Sequence, residues 1–257
     1  MSKPSPGIEA KAAARLDRDI ARLESGPGGR RTSQTLGQAA RAFVRHPSPW
    51  LIGSALLGGA VARDLVHRFS WTELLVPVAL VVLFPVIEWM VHVCVLHWRP
   101  RHLGPVAVDS LLARKHRAHH ADPRDLPLVF IPWQVELWLL PAYVVVTLLA
   151  VPSASAGWTL LVSVYAVMFG YEWVHYLVHS DYRPRTRAFR AVWRNHRLHH
   201  YKNEHYWFTV TTAGTADRLF GTYPEPSGVR TSRTVRDLHA LEEQRVERPQ
   251  ESAEPAL

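Results

Sequence analysis

Apolar and polar positions are strongly segregated along this chain. From about Pro49 onward, long apolar runs alternate with basic blocks. The first run, "PWLIGSALLGGAVA", is cut at Arg63. "LLVPVALVVLFPVIEWMVHVCVLHW" carries one formal charge, Glu88; "LVFIPWQVELWLLPAYVVVTLLAV" carries only Glu136; "GWTLLVSVYAVMFGYEWVHYLVH" carries only Glu172. At a helical rise of about 1.5 Å per residue, each of the last three is long enough to cross roughly 30 Å of hydrocarbon. The first is short, and spans only if its helix continues past Arg63 or the segment tilts or re-enters. Four core helices of a large soluble domain are the alternative, but soluble helices of this length normally show a polar face. The expected fold is an all-α integral membrane protein with four transmembrane helices in two hairpins.

Charge adds an orientation. The net charge is +8, which alone suggests nucleic acid or an anionic membrane as partner. Of the 30 Lys and Arg, however, all but Arg63 and Arg68 fall in residues 1–46, 97–125 and 180–257. With two helical hairpins those blocks share one face of the bilayer, the pattern of a protein with both termini cytoplasmic. Topology therefore accounts for the charge, and no nucleic-acid partner is expected, since the aromatics lie mainly in the apolar runs. A single cysteine, Cys94, excludes a disulfide framework and a four-cysteine zinc site. Residues 1–46 hold no apolar run and read as a solvated arm without a signal peptide, with a short helix around "AKAAARLDRDIARLE".

The 15 histidines are unevenly spent. His92 and His97 close the second apolar run, and His116, His119 and His120 follow in the next basic block. His175 and His179 close the fourth run, and His196, His199 and His200 follow it. "EWMVH" at Glu88–His92 echoes "EWVH" at Glu172–His175, so the halves read as cryptic repeats. All ten belong to a cytoplasmic helical cap in the expected topology. On a helix, H-x-x-H-H aims three imidazoles over roughly 100° of one face. His175 and His179 share a face at i and i+4, but His92 and His97 stand roughly 140° apart on an ideal helix. Either that helix unwinds near His97, as "WRPR" invites, or only one of the two faces the site.

Imidazole suits iron, zinc, copper and nickel, and ten ligands are too many for one ion, so two metals in one pocket is the economical reading. Glu88 and Glu172, near His92 and His175, are expected to fix imidazole tautomers, with pairing to a nearby Arg as the competing account. Asn195 and His205 are further neighbours expected around the ligands. His46, His67, His102 and His239 read as ordinary capping, packed or surface residues.

The order H-x4-H, H-x2-H-H, H-x3-H, H-x2-H-H on these runs resembles the fatty acid hydroxylase superfamily, which contains the sterol desaturases. It is most similar to the fatty acid 2-hydroxylases, over about residues 50–225. The tail "HHYKNEHYWFTVTTAGTADRLFGTYP" resembles that family's stretch after its last histidine motif, although Thr215-Ala216 stand where an apolar residue commonly precedes the aspartate. The third motif, H-x3-H, argues against carotenoid hydroxylases. The resemblance implies that the ten histidines bind two iron ions, with zinc as a substitute, and that the reaction is O2-dependent hydroxylation of a lipid acyl chain beside its carboxyl carbon. The chain is expected to divide into a flexible basic arm (1–47), a membrane hydroxylase domain (48–228) and a soluble, partly disordered tail (229–257), largely dispensable from about Thr231 and holding one short amphipathic helix, "TVRDLHALEEQRVE". The fused cytochrome b5 domain of the eukaryotic enzymes has no counterpart in residues 1–46, so electrons are expected from a separate ferredoxin or cytochrome b5-like carrier and its reductase.

The chemistry agrees with the residues. Breaking an unactivated C–H bond needs oxidising power that side chains lack, and apolar spans let an acyl chain reach the site from the bilayer. Arg and Lys in "HWRPRH", "LLARKHR" and "WRNHR" are expected to hold a carboxylate or phosphate head or to touch anionic lipid. A sterol or other terpenoid substrate of the same centre is the alternative reaction. A non-catalytic metal transporter would instead place ligands along a path across the bilayer.

Overall fold

A computed structural model describes residues 33–239 together with Arg15 and Arg18. The N-terminal helix expected around residues 10–24 lies outside the described residues apart from those two arginines.

The described residues are mostly helical. Helix α1 (Leu36–Phe43) starts at a capping box in which Thr35 Oγ1 accepts the Gln38 amide at 3.3 Å and Gln38 Oε1 accepts the Thr35 amide at 2.8 Å. α2 (Pro47–Leu65) begins on a proline that needs no amide partner there. α3 (Leu75–Val91) is preceded by a 3-10 turn at Trp71–Leu74 and followed by a π-helical turn at His92–Leu96. Then come α4 (Leu111–Ala121), α5 (Trp133–Ala150), α6 (Ala154–His179), α7 (Arg187–Tyr201) and the short α8 (Thr215–Leu219). Ser110, Ser153 and Thr186 cap α4, α6 and α7, each accepting an amide one turn inside its helix.

The all-α expectation needs one correction. Arg101–Leu103 and Val106–Val108 form an antiparallel hairpin between the π-helical turn and α4. Gly104 sits at its turn with φ of 60°, a conformation glycine adopts without cost.

Among the described residues three stretches are long and apolar enough to cross a membrane: Trp71–Leu96, Leu126–Ala150 and Ala154–His179. Their outward faces carry rows of exposed apolar side chains, such as Val78, Val82, Val146 and Leu149, as expected of surface that meets lipid. α2 does continue past Arg63, to Leu65, and packs along α6. Gly59 permits this close approach: a Cβ there would already touch Val162 at 3.5 Å and Tyr165 at 3.8 Å.

Two buried polar clusters mark the ends of this bundle. At one end Arg63 pairs with Glu73 at 2.7 Å, and Glu73 also accepts from Ser155 at 2.7 Å and Thr159 at 3.0 Å. The charge that interrupts the first apolar run thus ties α2, the 3-10 turn before α3 and α6 together. At the other end the Ser48 hydroxyl lies between Glu136 and Glu172, 2.6 Å from the latter. Phe43 joins them there, packed within 5.6 Å of the rings of Phe130, Phe169, Trp173 and Tyr176. α4, α7 and the loops around them cover this second end.

Candidate metal centre

The ten histidines converge at that end in two groups of five. His92, His97, His116, His120 and His199 form one; His119, His175, His179, His196 and His200 form the other. Within each group the ligand atoms all lie within 4.8 Å of one another. The groups are adjacent, with the His120 and His200 rings 4.2 Å apart.

Helix geometry explains the partition, which the linear motifs leave open. In each H-x-x-H-H the first and last histidines, at i and i+4, lie about 40° apart, whereas the middle one lies about 60° to the other side. So His116 and His120 of α4 join His92 and His97, while His119 crosses to the other group. His196 and His200 of α7 likewise join His175 and His179, and His199 crosses back. Each repeat keeps four histidines and exchanges one.

His92 and His97 share a site because the helix, before it ends at His97, is locally underwound into a wider turn, the specific form that the expected unwinding takes. The His97 amide donates to the His92 carbonyl at 3.0 Å, an i to i+5 bond that stacks the fifth residue above the first. The two rings stand 5.0 Å apart.

The Nε2 atoms face inward. Those of His92 and His116 are 3.1 Å apart, His97 and His199 3.2 Å, and His199 and His120 3.2 Å. In the second group His175 and His196 are at 3.1 Å, His200 and His196 at 3.0 Å, and His119 and His179 at 3.3 Å. Nitrogens held about 2.0–2.1 Å from one ion are separated by about 2.8 Å where they subtend a right angle and about 3.4 Å where they subtend a tetrahedral one. The donor set therefore fits metal binding.

The tautomers strengthen that fit. His199 Nδ1 lies 2.8 Å from the Tyr206 carbonyl and His120 Nδ1 3.0 Å from the Val235 carbonyl. A carbonyl can only accept, so both Nδ1 atoms carry the proton and both Nε2 atoms present lone pairs. Two lone pairs 3.2 Å apart in a buried site repel unless a cation lies among them. The imidazoles are also held neutral: burial pushes the pKa values of His97, His116, His119, His120, His196, His199 and His200 well below the ordinary histidine range, and neighbouring imidazoles add to the effect.

The residues expected around the ligands are placed differently. Among the described residues Glu88 hydrogen-bonds no imidazole and pairs with no arginine. It accepts the Val210 amide at 2.5 Å, the Thr211 amide at 3.0 Å and the Thr211 hydroxyl at 2.5 Å. Glu172 accepts from Ser48 and from the Ile131 amide at 2.8 Å. Both carboxyls tether loops and helices one turn from the histidines. Asn195 is buried, its Oδ1 accepting from the Tyr223 hydroxyl at 3.2 Å. His205 belongs to neither group; it is 72% exposed, 3.5 Å from Glu204. Arg117, among the expected head-group ligands, is paired to Asp109 at 2.5 Å. His46 stacks on Phe130 at 4.2 Å, as an ordinary packed residue would.

The loop after α7, residues 207–223, was not foreseen as part of the site. Asp217, fully buried, accepts from the Phe208 amide (2.8 Å), the Thr209 amide (3.0 Å), the Thr209 hydroxyl (2.5 Å) and the Thr222 hydroxyl (2.8 Å). Together with Glu88 it presses Phe208 onto the first group, 5.4, 5.5 and 5.1 Å from the rings of His92, His97 and His199. Trp89 stacks on Phe220 at 4.2 Å and meets Phe208 edge-on, making an aromatic wall. Gly214 is required here: its φ is 83°, and a Cβ would fall 2.3 Å from the Tyr223 ring. The signal in the sequence was the "TADRLFGT" ending, whose aspartate has no role until the loop closes on it.

Residues 230–239 of the C-terminal segment lie against the histidine end. Residues 234–239, expected to begin an amphipathic helix, instead form turns packed against α4 and α7, with Val235 and Leu238 buried. The rest of that expected helix lies outside the described residues.

A search of curated proteins and one of solved structures returned no significant match. The family model for fatty acid hydroxylases matches residues 77–222, a stretch that begins inside α3, includes all ten histidines and ends on the Asp217 loop. Covering more than half of the chain and the whole of this centre, the match places the protein in the fatty acid hydroxylase family, a multi-pass membrane oxidoreductase of lipids with a histidine-rich metal site.

Proposed function

We propose that the two histidine groups hold two iron ions and that the protein catalyses O2-dependent hydroxylation of a lipid acyl chain, at the carbon beside its carboxyl. The observation that carries this reading is the facing pair of His120 and His199 Nε2 lone pairs, 3.2 Å apart and fixed by carbonyls behind them. Bound there, iron would supply the O2 activation that no side chain provides. The chain's own residues would do the rest. Ten neutral imidazoles present lone pairs without competing protons. Phe208, backed by Trp89, covers the first group. The lipid-facing spans admit an acyl chain from the bilayer while its polar end stays among the arginines and lysines of the interface.

The distribution of Lys and Arg supports both termini and the histidines on the cytoplasmic side, with α2 as a fourth, shorter span. Reducing equivalents would come from a separate ferredoxin or cytochrome b5-like carrier. Fatty-acid profiling by mass spectrometry tests the reading, in an iron-replete host expressing the chain beside one expressing His120→Ala at matched membrane levels. A new 2-hydroxy acid made only by the intact protein is the expected result. Its absence with insertion, bound iron and a working electron donor confirmed would refute the acyl 2-position and turn the search to terpenoid lipids.

A further inference from the structure

Residues 230–239 run back across the histidine end, and their contacts fall on the C-terminal ends of the two triplet helices, α4 and α7. The Asn203 side chain donates to the Arg230 carbonyl at 3.3 Å, and the Ser232 amide donates to the Lys202 carbonyl at 2.8 Å. The Ser232 hydroxyl, at 2.9 Å, and the Thr234 hydroxyl both donate to Glu204, which is itself buried. The Arg236 guanidinium lies 4.6 Å over the Tyr201 ring and reaches the carbonyls of His120 at 3.4 Å and Ala121 at 3.3 Å. Between these anchors the Val235 carbonyl accepts the Nδ1 proton of His120.

We infer that residues 230–239 are a strap belonging to the metal centre, a positioning element that holds His120 ready to bind the ion of the first group. This inference rests on reading the histidine groups as metal ligands. A buried Nδ1–H without its carbonyl has no acceptor, and the ring then gains by moving its proton to Nε2 or by turning toward water. Either change removes a ligand. The strap also bridges α4 to α7, so its loss loosens the helix ends that carry His120 and His199 together. In the second group the Nδ1 atoms of His119, His175, His196 and His200 meet no strap carbonyl, so the effect is expected to fall on the first.

The test counts metal in purified protein and follows its release to a chelator, without reference to turnover. Three chains are compared with the full one: a chain ending at Leu241, which keeps the strap; a chain ending at Val229, which lacks it; and full-length Arg236→Ala. The Leu241 chain is expected to match the parent at about two ions. The Val229 chain is expected to hold about one, and Arg236→Ala to release one ion about 10–100-fold faster, the usual cost of losing a group that orients a ligand. Loss of both ions together would mark general unfolding and overturn the inference. So would parental metal content and release in both variants. If the Val229 chain fails to accumulate, Arg236→Ala decides alone. A full-length chain that binds no metal overturns the reading of the histidines as ligands, and the strap's role with it.

Discussion

Replacing Asp217 with alanine is the sharpest probe of how the loop serves the centre. Its carboxylate is fully buried and receives two amides and two hydroxyls. The hydroxyls can rotate to other acceptors, but the Phe208 and Thr209 amides are fixed by the backbone. Each buried donor left without a partner costs about 1–3 kcal/mol, so the two amides alone set a loss of about 2–6 kcal/mol. A midpoint near 4 kcal/mol is roughly a thousandfold in the unfolding constant, and a large share of the stability of an ordinary domain. Unfolding by titration of dodecylmaltoside micelles with SDS measures it. Because Phe208 packs on His92, His97 and His199, Asp217→Ala is also expected to open the first group to a chelator before the second. A loss below about 1 kcal/mol with unchanged release of both ions would refute the account of this loop as a clamp.

The crossed ligands make a second test: His199→Ala, although it lies in the second triplet, is expected to empty the group that holds His92 and His97, and His119→Ala the group that holds His175, each read as metal per chain. Glu88→Gln keeps an acceptor for part of the Val210–Thr211 turn, and is expected to cost about 1–3 kcal/mol in the same SDS titration while leaving metal content unchanged. A loss of metal there would restore the carboxylate to a role at the imidazoles. Gly214→Ala forces a left-handed backbone on alanine, at about 1–2 kcal/mol, and drives Tyr223 from Asn195, which a lowered SDS midpoint would report. The depressed histidine pKa values fix a pH dependence for the metal-free protein. Below about pH 6.5 the unfolded chain takes up protons that the folded one refuses, so stability is present above that value and falls as pH drops toward the lowered folded-state values. Metal should leave over the same interval; stability independent of pH between 7 and 5 would contradict buried neutral imidazoles.

Much of this molecule was legible in order along the chain. Apolar runs longer than a bilayer is thick can hide only in lipid or a very large core, so three spans followed from hydropathy and length. The ten histidines followed from spacing, because i, i+3 and i+4 positions share a helix face whatever the fold. The strongest sequence signals were thus local ones, set by helix period and by the cost of putting apolar surface in water. What the tertiary structure alone decided was every question of which partner. One H-x-x-H-H serves two groups because its middle residue points past its own site, and no linear motif states where the second site lies. His92 and His97 share a pocket because the helix widens between them, a choice made by the packing around it. Glu88 and Glu172, read as companions of the imidazoles from their place one turn away, bind amides brought from residues 210–211 and 131. Asp217 and the carbonyl of Val235 acquire their roles from donors nine and 115 residues distant. A backbone carbonyl is the same atom in every residue, so sequence cannot mark which one will fix a tautomer; only the closed chain can bring it there.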